Sequence, residues 1–297
     1  MRSDVPRSCL VTLYKSIVRP ILEYGDVLFD SSPNIHLKPL DDVQREAALV
    51  CTGGYRRTST ANLLDELNWE PLSIRRNIHR LNLMYKIKNN LVPDYLVSLC
   101  PPVRMEVVPY NLRNLDNIGV LQAHTTTFQN SFFPATITDW NNLDLTIRNS
   151  QSLSSFKQKI KPRVDKNKGK LYNYGKSRGH IHQCRMRMGL SGLSQQRADY
   201  SLTEDHSCPT CNSAHETVIH FFLRCPSYAA LRGELLRGIH AVLIQANLPI
   251  NLLPQTRAEL NEVESLLLQG HPSLSLEQNI DIFHLVHTYI DKSQRFL

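Results

Sequence analysis

Cys208-Pro209-Thr210-Cys211 is followed by His220 and then Cys225, and this C-x2-C-x8-H-x4-C spacing constrains the chain more than any other feature. A Cys-x-x-Cys turn points two thiolates at one ion, and sulfur with imidazole nitrogen is the donor set that suits Zn2+ in a closed structural site. Pro209 stiffens the turn. The stretch from Glu216 to Arg224 reads as a helix carrying His220, and Pro226 disfavours helix at Cys225, so the last ligand can swing back toward the first pair. His206 and His215 compete for the fourth position. His215 lies too close to Cys211 for an easy reach and His206 precedes the turn, which favours His220. The plainer reading is a set of free buried cysteines, but three of the 7 cysteines fall in this short stretch. An odd total and no secretory leader argue against disulfides. The expected cofactor is one structural Zn2+ on Cys208, Cys211, His220 and Cys225, with no position left for a catalytic water.

The remainder has room for two modest domains: 297 residues, 41% of them hydrophobic. No apolar run reaches the length of a bilayer span, and Lys15, Arg19 and Pro20 break the N-terminal one, so a nuclear or cytoplasmic location is expected. The net charge of +7 is unevenly placed. Between Arg148 and Arg187, twelve basic residues stand against Asp165 alone, a local balance of +11 that leaves −4 for the rest of the chain. A concentrated basic segment favours an acidic partner such as RNA or DNA.

Hydrophobic periodicity predicts a mainly α fold, a helical bundle followed by a small metal-stabilised module. Ser8 to Tyr24 reads as a helix with Leu10, Leu13, Ile17, Ile21 and Tyr24 on one face. A second runs from Leu37 through Val43, Ala47 and Val50 to Gly53-Gly54, and Thr60 to Leu67 is a short third. The fourth carries Ile74, Ile78, Leu81 and Tyr85 as an apolar stripe, beside a basic row of Arg75, His79 and Lys86. These define a bundle over 1–100. A connector over 101–164 is expected to hold one strand near Gly119 to Thr127, a helix with Phe132, Phe133, Ile137, Trp140 and Leu143, and a second helix with Phe156 and Ile160 inward. Phe132 and Phe133 suit core packing better than base stacking. A basic linker follows over 165–177, with Tyr172 and Tyr174, then a metal module with flanking helices over 178–243 and a helical tail over 244–297.

Several phrases together resemble the C-terminal part of a non-LTR retrotransposon polyprotein of the jockey type. They are the run from Leu13 to Gly25, then Val43-Gln44-Arg45-Glu46-Ala47-Ala48, and Glu66-Leu67-Asn68-Trp69-Glu70-Pro71-Leu72 leading into Arg75-Arg76. Later come Asn130 to Pro134 with Trp140-Asn141, Arg187 to Ser191, Glu216-Thr217 and His220-Phe221-Phe222. The resemblance implies that the first block is a thumb and the later one a CCHC zinc module that holds template RNA or target DNA during target-primed reverse transcription. It also implies that fingers and palm, with the catalytic aspartates, would lie before Met1.

The chain itself is therefore expected to be non-catalytic. Asp41-Asp42 reads as a solvated face near a helix N-terminus. The acidic residues after Cys225 are scattered, against what a nuclease needs. Nucleophilic chemistry through Cys184 with His180 or His182 lacks a partner carboxylate, and these three read as strand- or phosphate-facing. The expected nucleic-acid contacts are Arg75, His79, Lys86, Lys157, Lys159, Lys161, Lys168, Lys170, Arg178, Arg185 and Arg187. The alternative is a zinc-stabilised protein-interaction module, or a transcribed fragment without a cellular role.

Overall fold

The computed structural model describes residues 5–107, 115–162, 166–174 and 178–296, without the side chains of Val107, Lys166 and Asn167. Arg163, Asp165 and Lys176 of the expected basic segment lie outside the described residues. The longer helices are α1 (Arg7–Leu13), α2 (Asn34–Thr52), α3 (Thr60–Leu67), α4 (Leu72–Lys88), α5 (Phe132–Asn141), α6 (Leu153–Ile160), α7 (Lys166–Tyr172), α8 (Arg178–Arg187), α9 (Ser194–Asp199), α10 (Ala229–Gln245), α11 (Arg257–Gln269) and α12 (Leu276–Ser293). The fold is mainly helical, with no strand among the described residues. It divides into two compact units. The larger comprises Met1–Ser16, Arg45–Trp69 and Asp165–Leu297, and the smaller Ile17–Gln44 and Glu70–Val164, so the first hundred residues are shared between both.

In the smaller unit α4 is the spine. Pro71 precedes it and supplies no side-chain cap, so the Gln44 side chain accepts from the Leu72 N–H at 3.2 Å and donates to the Glu70 carbonyl at 3.0 Å. One face of α4 buries Leu81, Met84 and Tyr85 against Ile118, Ile137, Trp140 and Phe156 from the expected connector. Tyr85 stacks on Phe156 with ring centres 4.5 Å apart, and its hydroxyl donates to the Ser150 carbonyl at 2.7 Å. Phe133 packs against this cluster and meets Phe132 edge-on. No strand forms over 119–127. Just before it, Ile118 makes an isolated antiparallel bridge with Val103, and the Asn141 side chain bonds both the N–H and the carbonyl of Ile118 at 3.0 Å.

The opposite side of α4 carries the basic row, and carboxylates occupy it. Arg75 is held by Glu23 and Glu70, Arg76 by Asp30 and Asp41, His79 by Asp26, and Arg80 by Asp30 and Asp139. Glu23 lies before and Asp26 and Asp30 after Gly25, whose left-handed φ of 69° interrupts the helix, and all three carboxylates turn toward α4. Ile21, Tyr24 and Leu28 are 72%, 87% and 86% exposed, and Ile17 is exposed beside them. The helix expected from Ser8 to Tyr24 ends at Leu22 after a π turn over Tyr14–Val18, and Leu13, Ile17, Ile21 and Tyr24 of its expected inward stripe are exposed. Asp41 and Asp42 sit in the interior of α2, beside Arg76 and Lys38, and not near its N-terminus.

The larger unit is organised by a buried carboxylate. Glu66 on α3 binds Arg7 Nη1 at 2.9 Å and Arg187 Nη2 at 2.6 Å, and all three side chains are at most 4% exposed. Burial alone would push the Glu66 carboxyl up, but the Arg187 and Arg7 guanidinium groups outweigh it and hold the carboxyl down at about 2. Next to this triad α8 and α12 pack closely. A Cβ at Gly179 would stand 2.5 Å from the His287 carbonyl oxygen, so only glycine permits the approach. Gln183 then ties α8 to α12 and α11, meeting His287 Nε2 at 2.8 Å and donating to the Leu267 carbonyl at 2.7 Å. His180, His182 and Cys184, expected to face a strand or phosphate, are instead buried. Helix α8 is covered on several sides, a fact its weak periodicity conceals. The segment 244–297 supplies Val263, Leu266, Leu267, Ile282, Val286 and Tyr289 to the main core.

Removing one member of a buried ion pair leaves a charge without water or partner, at a cost of about 3–5 kcal/mol. Glu66→Ala, which strands both Arg7 and Arg187, should lower stability by that amount in urea unfolding. Acid should act through the same region. Burial holds His180 down at about 3 and His287 down at about 2, so the unfolded chain takes up protons first as pH drops below about 6.5. Glu66 adds its loss only below about 4.3, as pH approaches about 2. Stability should thus fall continuously from near-neutral pH downward, and a flat profile between pH 6.5 and 4.5 would contradict the neutral burial of these histidines.

Candidate metal centre

Residues 206–216 form a small hairpin-like turn. Ser207 and His215 bridge, the Cys208 N–H donates to the Ala214 carbonyl at 2.9 Å, and the Glu216 N–H donates to the His206 carbonyl at 2.8 Å. Asn212 takes a left-handed φ of 54°, which asparagine tolerates, and its N–H closes onto the Cys208 carbonyl at 2.8 Å. This places Cys208 and Cys211 on one side of the turn. A short helical stretch then begins at Val218, two residues later than the sequence suggests, and includes His220–Arg224 as a π turn. Cys225 is extended, as the following proline requires, and its N–H bonds back to the His220 carbonyl at 2.7 Å.

The four ligand atoms of Cys208, Cys211, His220 and Cys225 all lie within 4.8 Å of one another. Cys208 Sγ is 3.9 Å from Cys225 Sγ, and Cys211 Sγ is 3.3 Å from His220 Nε2. A tetrahedron with metal–sulfur bonds of about 2.3 Å and metal–nitrogen bonds of about 2.0 Å has edges of about 3.5–3.8 Å, so the donor set fits one ion. His206 and His215 stack on each other, ring centres 5.3 Å apart, outside this set. Hydrogen bonds from Ser213 lower the Cys211 thiol to about 6, while burial raises the Cys208 thiol to about 11.

The support around the cluster comes from far along the chain. Glu216, fully buried, receives Arg295 Nε at 2.5 Å and Nη2 at 2.7 Å, caps the Ser194 N–H at 2.7 Å, and lies 4.0 Å from Cys208 Sγ. Tyr228 meets the Thr210 hydroxyl at 2.9 Å, Arg232 donates to the Cys225 carbonyl at 2.8 Å, and Tyr289 donates to the Phe221 carbonyl at 2.6 Å. Cys208 and Cys225 belong to the main core of the larger unit together with residues of α10, α11 and α12. None of these supports was singled out from the sequence. Glu216 lies within a phrase that carries the family resemblance, but nothing in the order of residues points to Arg295.

The expected nucleic-acid contacts are placed very differently from one another. Arg75 and His79 are taken by carboxylates, and Lys86 is half-buried. Lys157 and Lys161 are exposed, while Lys159 donates to the Thr146 carbonyl at 2.6 Å. Lys168 binds Asp65 at 2.8 Å, whereas Lys170 and Arg178 are exposed. Arg185 bonds the Gly53 carbonyl at 2.7 Å, and the Arg187 side chain is buried on Glu66, which removes it from any surface contact. Cys184 is fully buried and its thiol is pushed up to about 12, first by burial and then by Glu66, so it is no thiolate nucleophile at neutral pH.

No protein-family model, curated protein or solved structure matches the chain, so the family resemblance rests on the quoted phrases alone.

With Zn2+ in the cluster, purified protein should contain one zinc per chain by elemental analysis. Cys208→Ser and His220→Ala should each release it, and acid should weaken binding because protons compete for the thiolates and imidazole. Protein that holds no zinc, or variants that retain it fully, would remove this assignment.

Proposed function

We propose that this chain is a zinc-stabilised, non-catalytic nucleic-acid-binding protein that holds RNA or DNA mainly through phosphates. The observation that carries the reading is the unpaired state of Lys157, Lys161, Lys170 and Arg178. All four are exposed, and no carboxylate among the described residues lies within ion-pair distance of any of them, whereas the arginines of α4 are neutralised internally. Such cations recognise polyanions through counterion release rather than through a shaped pocket.

The resemblance to the C-terminal part of a non-LTR retrotransposon reverse transcriptase supports the same reading, with template RNA or target DNA as the partner. It supplies the reason to expect no polymerase activity, since the two-metal chemistry of phosphoryl transfer needs converging carboxylates. Asp41 and Asp42 are engaged by Arg76 and Lys38. Four protein ligands would leave a bound zinc no open position for substrate. Among the described residues, no helix is long and apolar enough to cross a membrane.

One observation favours the protein-interaction reading: the uncovered stripe of Ile17, Ile21, Tyr24 and Leu28. Salt separates the two. Phosphate binding should weaken by about 0.7–0.9 in log affinity per log unit of salt for each phosphate neutralised. Reversing charge at Lys157, Lys159 and Lys161 should flatten that slope and weaken all sequences alike. Binding indifferent to salt would favour the apolar stripe and a protein partner. Primer extension on RNA or DNA templates should be absent with Mg2+ or Mn2+, and extension abolished by mutating Asp41 and Asp42 would overturn the non-catalytic reading.

A further inference from the structure

Residues 53–58 of the larger unit form the loop between α2 and α3, and arginines converge on it. Arg45 donates to the carbonyls of Arg56 and Thr58. Arg185, from α8, donates through Nε to the Gly53 carbonyl at 2.7 Å and through Nη1 to the Tyr55 hydroxyl at 3.2 Å. Arg57 donates to the Tyr200 carbonyl at 3.0 Å. The Arg185 guanidinium lies 4.2 Å from the centre of the Tyr55 ring, while 38% of Tyr55 remains exposed. Arg56 and Arg57 are exposed beside it.

This cluster lacks the counter-charge that the fold gives to many of the other arginines. Arg7, Arg75, Arg76, Arg80, Arg187 and Arg295 each hold a carboxylate. Among the described residues, Arg56, Arg57 and Arg185 have none within 4.0 Å, and Arg45 has only its exposed neighbour Glu46 at 3.3 Å. Arg45, Arg57 and Arg185 are fixed by backbone carbonyls, which orient a guanidinium without neutralising it, and most of the five N–H donors on Arg57 and Arg185 stay unused. Fixed, uncompensated guanidinium groups are arranged for an incoming anion. The tyrosine adds something that charge alone does not need: an aromatic ring steadied by Arg185 and open to solvent.

We propose that residues 53–57, with Arg45 and Arg185, form a contact surface for single-stranded nucleic acid. The guanidinium groups take phosphates and the Tyr55 ring stacks on an unpaired base. A single strand fits better than a duplex, whose bases are stacked on one another, and better than an acidic peptide, which gives the ring no partner. This inference rests on the nucleic-acid reading above and locates the base contact on a loop that the sequence did not single out.

The test is fluorescence anisotropy with the full, zinc-loaded chain. The probes are a labelled oligo(dT), a base-free phosphodiester of equal length, a DNA duplex and polyglutamate. Tyr55→Ala should weaken oligo(dT) binding roughly 5- to 150-fold, the range for loss of one stacked base, and leave the base-free strand unaffected. Tyr55→Phe, which keeps the ring and loses only the hydroxyl that accepts from Arg185, should restore most of the oligo(dT) binding lost in Tyr55→Ala, which guards against a purely structural effect. Arg56→Ala with Arg57→Ala should weaken both strands and lower the salt slope by about 1.4, two phosphates' worth on a single strand. Wild-type binding to oligo(dT) that survives all these substitutions, but is lost on charge reversal at Lys157, Lys159 and Lys161, overturns this surface and keeps the general reading. Wild-type protein that binds neither strand nor duplex overturns both. Equal affinity for polyglutamate and oligo(dT) also overturns the surface, in favour of an acidic peptide.

Discussion

Glu66 holds two guanidinium groups, Arg7 from α1 and Arg187 from α8, in a region from which solvent is excluded. A lone carboxylate there would give up its charge, and a lone arginine could not give up its own, so each group is tolerable only while the others stay in place. The partners come from three separate stretches of chain, so the larger unit cannot form until those stretches meet. The Arg187 guanidinium also lies 4.1 Å from the Tyr172 ring centre, which extends the constraint to α7. His180 and His287 pack beside the same arginines and are held neutral, which keeps a site already carrying one excess positive charge from gaining more.

The Cys/His cluster is tied to the same unit through packing. Cys208 and Cys225 sit in one apolar core with Phe221, Phe222 and residues of the three C-terminal helices. An ion there would close a turn too short to bury much on its own, while the helices exclude water from the thiolates. Arg295 fits this arrangement electrostatically. Three thiolates around a divalent ion would carry one excess negative charge, Glu216 adds another, and the Arg295 guanidinium bonded to Glu216 offsets one of the two. The cluster and the C-terminal helices therefore stabilise one another.

Charge in this protein divides by what holds it. On α4 the arginines face carboxylates and serve the fold of the smaller unit. Around residues 53–58 arginines are held by carbonyls and keep their charge. Both groups look alike in a sequence, where each is simply a basic residue among polar neighbours. The net charge bounds the kind of partner, but only pairing in three dimensions says which cations remain to meet it.

The sequence by itself determined the local features: helix α3 to the residue, the presence of α2 and α4, the gathering of Cys208, Cys211, His220 and Cys225 into a cluster that could hold a metal, and the break at Cys225 before proline. These depend on neighbours a few residues apart, where backbone preference and ligand spacing act directly. Tertiary structure decided everything that depends on which surfaces meet. Ile21 and Tyr24, expected on an inward stripe, lie outside, while Glu23, Asp26 and Asp30 around the break at Gly25 meet Arg75, His79, Arg76 and Arg80 of α4. The polar α8, with little periodicity to mark it as interior, became a buried helix because Gly179 lets α12 approach and Gln183, Arg187 and His180 all find partners. Periodicity states that residues share a face. What covers that face is settled by the competition among distant partners, and that competition is not written in the spacing.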